Sequence, residues 1–273
     1  MSVAAIYKGA CMVWITQRDE AMFDWLRVVR ITNTEGVRWM LGRLNGGDRP
    51  VTKRAAQMWC ARMQEVGYVD RERVSGVGGS MIWGTHEATG QSAPNLFRQT
   101  TRHEVAVSIA SAHFQAAGYS WEGDREAVNR TDHQADGVAL REPIVQLVEV
   151  ELTPKRGERY AMIFRALQHR YERGEIHRVM YLTTDEVAGY LGRLLEDGTG
   201  PSDDTARGGR GAIRRPAALT EQLKRQMRQL LRIEPVFDRR GIWETDVQPA
   251  WLNQGGPAPA PAAAAGELEG VRW

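Results

Sequence analysis

Met22, Trp25, Leu26 and Val29 recur at helical spacing behind Thr16, with Asp19 three residues on as the second half of a capping box. The same device repeats. Asn33 or Thr34 opens a stripe of Val37, Met40, Leu41 and Leu44. Thr52 then caps a third helix carrying Ala55, Trp59, Ala61 and Met63, which ends at Gly67. The period then changes from helical to extended: YVDRERV and MIWGT flank the glycine-rich SGVGGS, which predicts a hairpin. A break at GTHEATGQSAPN separates this segment from a second one.

The second segment opens with a helix over RHEVAVSIASAHFQAAG, with Val105, Ile109, Ala112 and Ala116 on one face. Three extended stretches follow, in GYSWEGDREAV, HQADGVALRE and PIVQLVEVELTPK. Next come an amphipathic helix in GERYAMIFRALQHRYERG, a strand in EIHRVMYLT and a helix in DEVAGYLGRLLE. A strand, a crossover helix and a further strand predict an α/β core with a mixed sheet. Beyond the break EDGTGPSDDTARGGRG, Leu219, Leu223, Met227, Leu230 and Leu231 predict one more helix, from about Ala217, with Lys224, Arg225, Arg228 and Arg232 off its apolar side. Residues 254–270, rich in Pro, Ala and Gly, read as a disordered tail.

Composition narrows the class. At 273 residues and 42% hydrophobic, the chain can bury a core. Charged residues nearly cancel to +2, so any basic surface must be local. Cys11 and Cys60 are too few for a disulfide framework or a zinc site, which suits a cytoplasmic protein. No window approaches the roughly 20 apolar residues of a membrane span.

The candidate chemistry lies at VEVELTPK. In a strand, Val145, Leu147, Glu149 and Glu151 share one face, and the two carboxylates stand about 6.6 Å apart. Asp136, just before an apolar run, fits a neighbouring strand facing them. Converging acids repel unless a cation lies between them, and hard oxygen donors without a His or Cys cluster point to Mg2+ or Mn2+. The plainer reading is a solvated strand face balancing Arg156 and Arg159. His133 precedes Asp136 closely enough to join such a site, whereas His103, heading its helix, reads as a cap or packing residue.

Three helices followed by a glycine-tipped hairpin is the layout of a winged helix-turn-helix. Its third helix would present Lys53, Arg54, Gln57 and Arg62 to the major groove, with Arg71 and Arg73 on the wing. An ordinary charged face, or a protein-binding winged helix, has the same pattern.

From Glu104 to Lys155 the sequence resembles the PD-(D/E)XK, restriction-endonuclease-like superfamily. That resemblance implies a nuclease-like mixed-sheet domain, with Asp136 as the Asp, Glu149 as the acid and Glu104 as an extra acid. Glu151 stands where the lysine is expected, and Lys155 is placed to reach back. The ordered set of the three helices, WGTHEATG, RHEVAV, ADGV and VEVELTPK is similar to the replication-relaxation family of plasmid, phage and mobile-element proteins. With the breaks in the sequence pattern as bounds, residues 16–88 read as the DNA-binding unit, 100–196 as the nuclease-like unit, 197–216 as a flexible basic linker and 217–245 as a helix and strand extension. The activity it implies is metal-dependent nicking or cleavage of double-stranded DNA during replication, transfer or relaxation, alongside replication or transfer proteins and with a homodimer as one arrangement. In that scheme Asp136, Glu149 and Glu151 bind metal, and Lys155 gives electrostatic support. Two other readings fit the residues: a non-enzymatic DNA-binding regulator whose nuclease-like domain has lost its chemistry, and a protein-binding adaptor.

Overall fold

A computed structural model describes residues 4–8, 11–74, 79–129, 132–197 and 219–253. Part of the SGVGGS turn, the basic linker with its arginines at 207–215, and the tail lie outside the described residues. The fold is mixed α+β. Among the described residues no helix is long and apolar enough to cross a membrane.

The chain opens with an antiparallel hairpin, β1 (Ala4–Lys8) and β2 (Cys11–Ile15), which the hydrophobic pattern does not announce. Helix α1 (Gln17–Val29) starts at Thr16 with both halves of the capping box in place. A short strand β3 (Thr32–Asn33) leads into α2 (Thr34–Leu44), where Asn33 accepts from the amides of Glu35 and Gly36. Helix α3 (Lys53–Glu65) is capped by Thr52. Strands β4 (Val69–Arg73) and β5 (Ser80–Gly84) pair antiparallel, and β3 joins them in a three-stranded sheet ordered β3-β5-β4. A single turn of helix, α4 (His86–Thr89), follows.

Helix α5 (Thr101–Ala116) then leads to β6 (Ser120–Glu122), β7 (Gly137–Arg141) and β8 (Ile144–Glu151). Helix α6 (Gly157–Glu172), β9 (Arg178–Thr184) and α7 (Asp185–Asp197) come next, and α8 (Glu221–Leu230) and β10 (Leu231–Phe237) complete the sheet. Its order is β10-β9-β8-β7-β6. The three strands β6, β7 and β8 are antiparallel neighbours, whereas β9 and β10 run parallel to β8. One expectation needs correction: Leu231 and Arg232 are not the end of a helix but the start of β10. That strand lies at the sheet edge, where Pro235 is tolerated because no further strand requires its amide.

Alternation along β8 divides the core. Leu147 packs with Tyr160, Phe164, Leu191 and Met227 on the α6–α8 side. Val148, Val150 and Leu152 pack with Val105, Ile109 and Phe114 on the α5 side. Helix α5 also supplies Ala112 and Ala116 to the core of α1–α3. Trp25 Nε1 donates to Ser111 Oγ (3.1 Å), and Ser108 Oγ to Thr32 Oγ1 (2.8 Å). After β10 the chain returns across α5: Trp243 stacks on His113 at 3.8 Å, and Trp39 Nε1 donates to the Thr245 carbonyl (3.2 Å). The last helical turn is α9 (Ala250–Asn253).

Candidate acidic site at the end of strand β8

The site forms at the start of β7 and the end of β8. Gly137 lies opposite Val148, and Asp136 just before it is close enough for its charge to act on Glu149. A Cβ on Gly137 would come within 2.1 Å of Trp121 Cζ2, so glycine allows the indole to close over the strand start beside Asp136. Asp136 Oδ2 accepts the Val150 amide at 2.7 Å. His103 Nε2 lies 2.9 Å from the Val150 carbonyl and 3.2 Å from Asp136 Oδ2. A carbonyl only accepts, so Nε2 carries a proton that both oxygens share. Burial opposes a charged His103, but the bond and charge of Asp136 and the Val150 carbonyl outweigh it and raise its pKa.

Glu149 and Glu151 are both buried, at 4% and 6% exposure, which removes the solvated-face reading. Glu149 Oε1 lies 2.5 Å from His133 Nε2. Burial raises the Glu149 pKa and the charge of Asp136 adds to the rise, while His133 and Lys155 oppose it. Glu151 is ion-paired to Lys155, whose chain turns back through residues 152–154. Burial lowers the Lys155 pKa against the pull of Glu149 and Asp136, and Arg159 adds to the lowering. On β9, Tyr181 and Thr183 stand opposite Glu149 and Glu151. Their buried hydroxyls have no hydrogen-bond partner among the described residues, which leaves oxygen-seeking groups beside the acids.

The loop before Asp136 is held by a buried ion pair. Arg170 donates to both Asp124 oxygens (2.7 and 3.0 Å), and Asp124 Oδ2 accepts the Ala135 amide at 2.8 Å. Arg125 pairs with Asp132 at 2.5 Å and holds that carboxyl below the usual carboxylate range. Glu104 is not brought to the acids: its carboxylate accepts from Thr100 Oγ1 at 2.9 Å, within its own first turn. Among the described residues no group of three or more His, Cys, Asp or Glu converges as a metal-ligand set.

The candidate DNA-contacting residues divide. Arg54 and Gln57 are exposed and, with Arg71, line a groove of about 400 Å3 between α3 and β4–β5. Arg71 Nε donates to Gln64 Oε1 (2.9 Å), and Arg73 is exposed at the end of β4. Lys53 is ion-paired with Glu244 of the C-terminal return. Arg62 is only partly exposed and its guanidinium is engaged. It bonds the Trp14 carbonyl (2.9 Å) and Asp19 (2.5 Å), so it ties α3 to α1 and β2.

Sequence reasoning set His103 aside because its nearness to Asp136 depends on how α5 packs on β8. A histidine in the first turn of a helix feeding the sheet was the available signal. The Asp124–Arg170 pair left no local trace, since its partners are 46 residues apart. Comparison with protein families, with curated proteins and with solved structures finds nothing that matches this chain.

Proposed function

We propose that this is a DNA-binding protein of a mobile element, of the replication-relaxation kind, that nicks or cleaves double-stranded DNA with a divalent metal at Asp136 and Glu149. The carrying observation is the closeness of those carboxylates, Glu149 near the end of β8 and Asp136 just before the neighbouring β7, with the Lys155 ammonium next to them. The order α5-β6-β7-β8-α6-β9 around them agrees with a PD-(D/E)XK core, and α1–α3 with β3–β5 agrees with a winged helix.

The donors suit a hard cation. Asp136, Glu149 and the Val150 carbonyl are oxygens, and magnesium commonly takes one or two carboxylates and fills its other positions with water and phosphate oxygens. Bound there, magnesium or manganese would supply Lewis acidity toward phosphate and a water of lowered pKa. Asp136 and Glu149 would hold it. Glu151 serves to orient Lys155, whose ammonium offsets charge developing on the phosphate. His103 fixes Asp136 through its shared proton. Arg54, Gln57 and Arg71 would contact DNA from α3 and the hairpin.

One observation favours a second reading. Every acid already has a partner, Asp136 in Val150 and His103, Glu149 in His133 and Glu151 in Lys155, and so closed a network also suits a non-enzymatic DNA-binding regulator. Supercoiled DNA incubated with magnesium or manganese separates the two. Nicking that requires metal and disappears in Glu149→Ala supports the enzyme, and a mobility shift without any cutting supports the regulator.

A further inference from the structure

The parallel strands β8, β9 and β10 end at one edge of the sheet, and the acids lie at that edge. The chain leaving β8 carries Lys155 and Arg156 into α6, whose first turn adds Arg159. The chain leaving β10 turns through Arg239 and Arg240. The two are neighbours: a Cβ on Gly241 would lie 2.9 Å from Leu152 Cδ1 and 3.4 Å from Arg102 Cγ, and Arg102 donates to the Arg239 carbonyl. Arg102 precedes His103, which reaches Asp136.

Arg156, Arg159, Arg239 and Arg240 are exposed, and none has an ion-pair or hydrogen-bond partner for its guanidinium among the described residues. Of the acids at this end of the sheet, Asp238 Oδ1 accepts the amides of Arg240 and Ile242 at 2.8 Å and Glu104 is turned toward Thr100, while Glu158 of the α6 turn and Asp185 and Glu186 at the start of α7 are exposed. Some arginines elsewhere are tied down locally, as Arg27 is to Asp24 and Arg173 to Glu175, and others such as Arg98 and Arg165 are exposed as well; what sets these four apart is their place at the end of the sheet that carries the acids. Uncompensated guanidinium groups around buried acids are the charge arrangement that draws a polyanion to a site which would otherwise repel it.

We infer that Arg156, Arg159, Arg239 and Arg240 form a second nucleic-acid grip that seats a phosphodiester backbone at the mouth of the Asp136–Glu149 site, separately from α3. The inference rests on the proposal that nucleic acid is the partner, but not on the acids being catalytic. The grip reads backbone charge, so it acts on unrelated sequences alike.

Fluorescence anisotropy of two unrelated labelled duplexes, in chelator and across a salt series, tests the grip without any need for cleavage. The fourfold variant R156Q/R159Q/R239Q/R240Q is expected to lose at least about tenfold in affinity for both duplexes. Its log-affinity against log-salt slope should flatten by roughly 0.9 for each phosphate contact removed. Its thermal midpoint should stay at that of the parent, because these side chains are exposed and unpartnered. R54Q/Q57A should retain salt-sensitive binding through the grip. Unchanged affinity and slope in the fourfold variant, or complete loss of binding in R54Q/Q57A, overturns the inference, whatever the nicking assay gives. Absence of DNA binding by the parent protein overturns the underlying functional reading as well.

Discussion

At the scale of single residues the protein gives many of its buried polar groups partners, and His113, whose Nε2 has none among the described residues, shows the cost. It is fully buried between Trp39 and Trp243, with Nδ1 on Gln248 Oε1 at 3.1 Å. Burial pushes its pKa down to about 3, from an ordinary 6.5. The folded state thus keeps His113 neutral while the unfolded state takes up a proton. That contribution to stability is complete above pH 6.5 and is lost as pH falls toward 3. At about 1.4 kcal/mol per unit the loss is on the order of 5 kcal/mol. Replacing His113 with Gln should flatten this part of the curve, as read from denaturant midpoints between pH 7 and pH 4. An equally steep acid decline in H113Q contradicts the assignment.

Among the elements, α3 shows how a helix divides labour. Arg54 faces the groove, whereas Arg62 satisfies the buried Asp19, whose pKa is lowered by Thr16, Trp59 and Arg62 in spite of burial. Arg54→Gln should therefore weaken DNA binding with no change in melting temperature. Arg62→Gln should cost about 2 kcal/mol by leaving a buried charge short of a partner. Calorimetry beside a mobility-shift titration checks both, and the reverse pattern contradicts the division. Much of this level is legible in the sequence, because caps and stripes are local: Thr16, Asn33 and Thr52 cap as their side chains predict. The shared face of Glu149 and Glu151 follows from strand alternation, and the place of Asp136 just before the strand paired with β8 from the hairpin pattern. What the sequence conceals is long-range. Arg62 was assigned to DNA because nothing within its helix reveals Asp19, and Lys53 because Glu244 lies 191 residues away.

For the whole molecule, the two segments separated by the break at residues 84–95 share one packing system. Ile31, Met81 and Trp83 pack with residues of α5 and the large sheet, Ala112 and Ala116 of α5 pack with α1–α3, and residues 243–248 lie across α2 and α5. Tryptophan fluorescence and far-ultraviolet circular dichroism should report a single, coincident unfolding transition in denaturant. Two separated transitions would mean that the segments are independent units.

This shared packing places the acids and the lysine together, and their chemistry is the central claim. The most direct measurement follows nicking of supercoiled DNA by the parent protein, Asp136→Ala and Glu149→Ala, each with and without magnesium or manganese. The account predicts metal-dependent nicking by the parent, loss of at least about a hundredfold in rate in each variant, and DNA binding retained by all three. Nicking that survives both substitutions, or a parent that binds DNA and never cuts it with either metal, would contradict it.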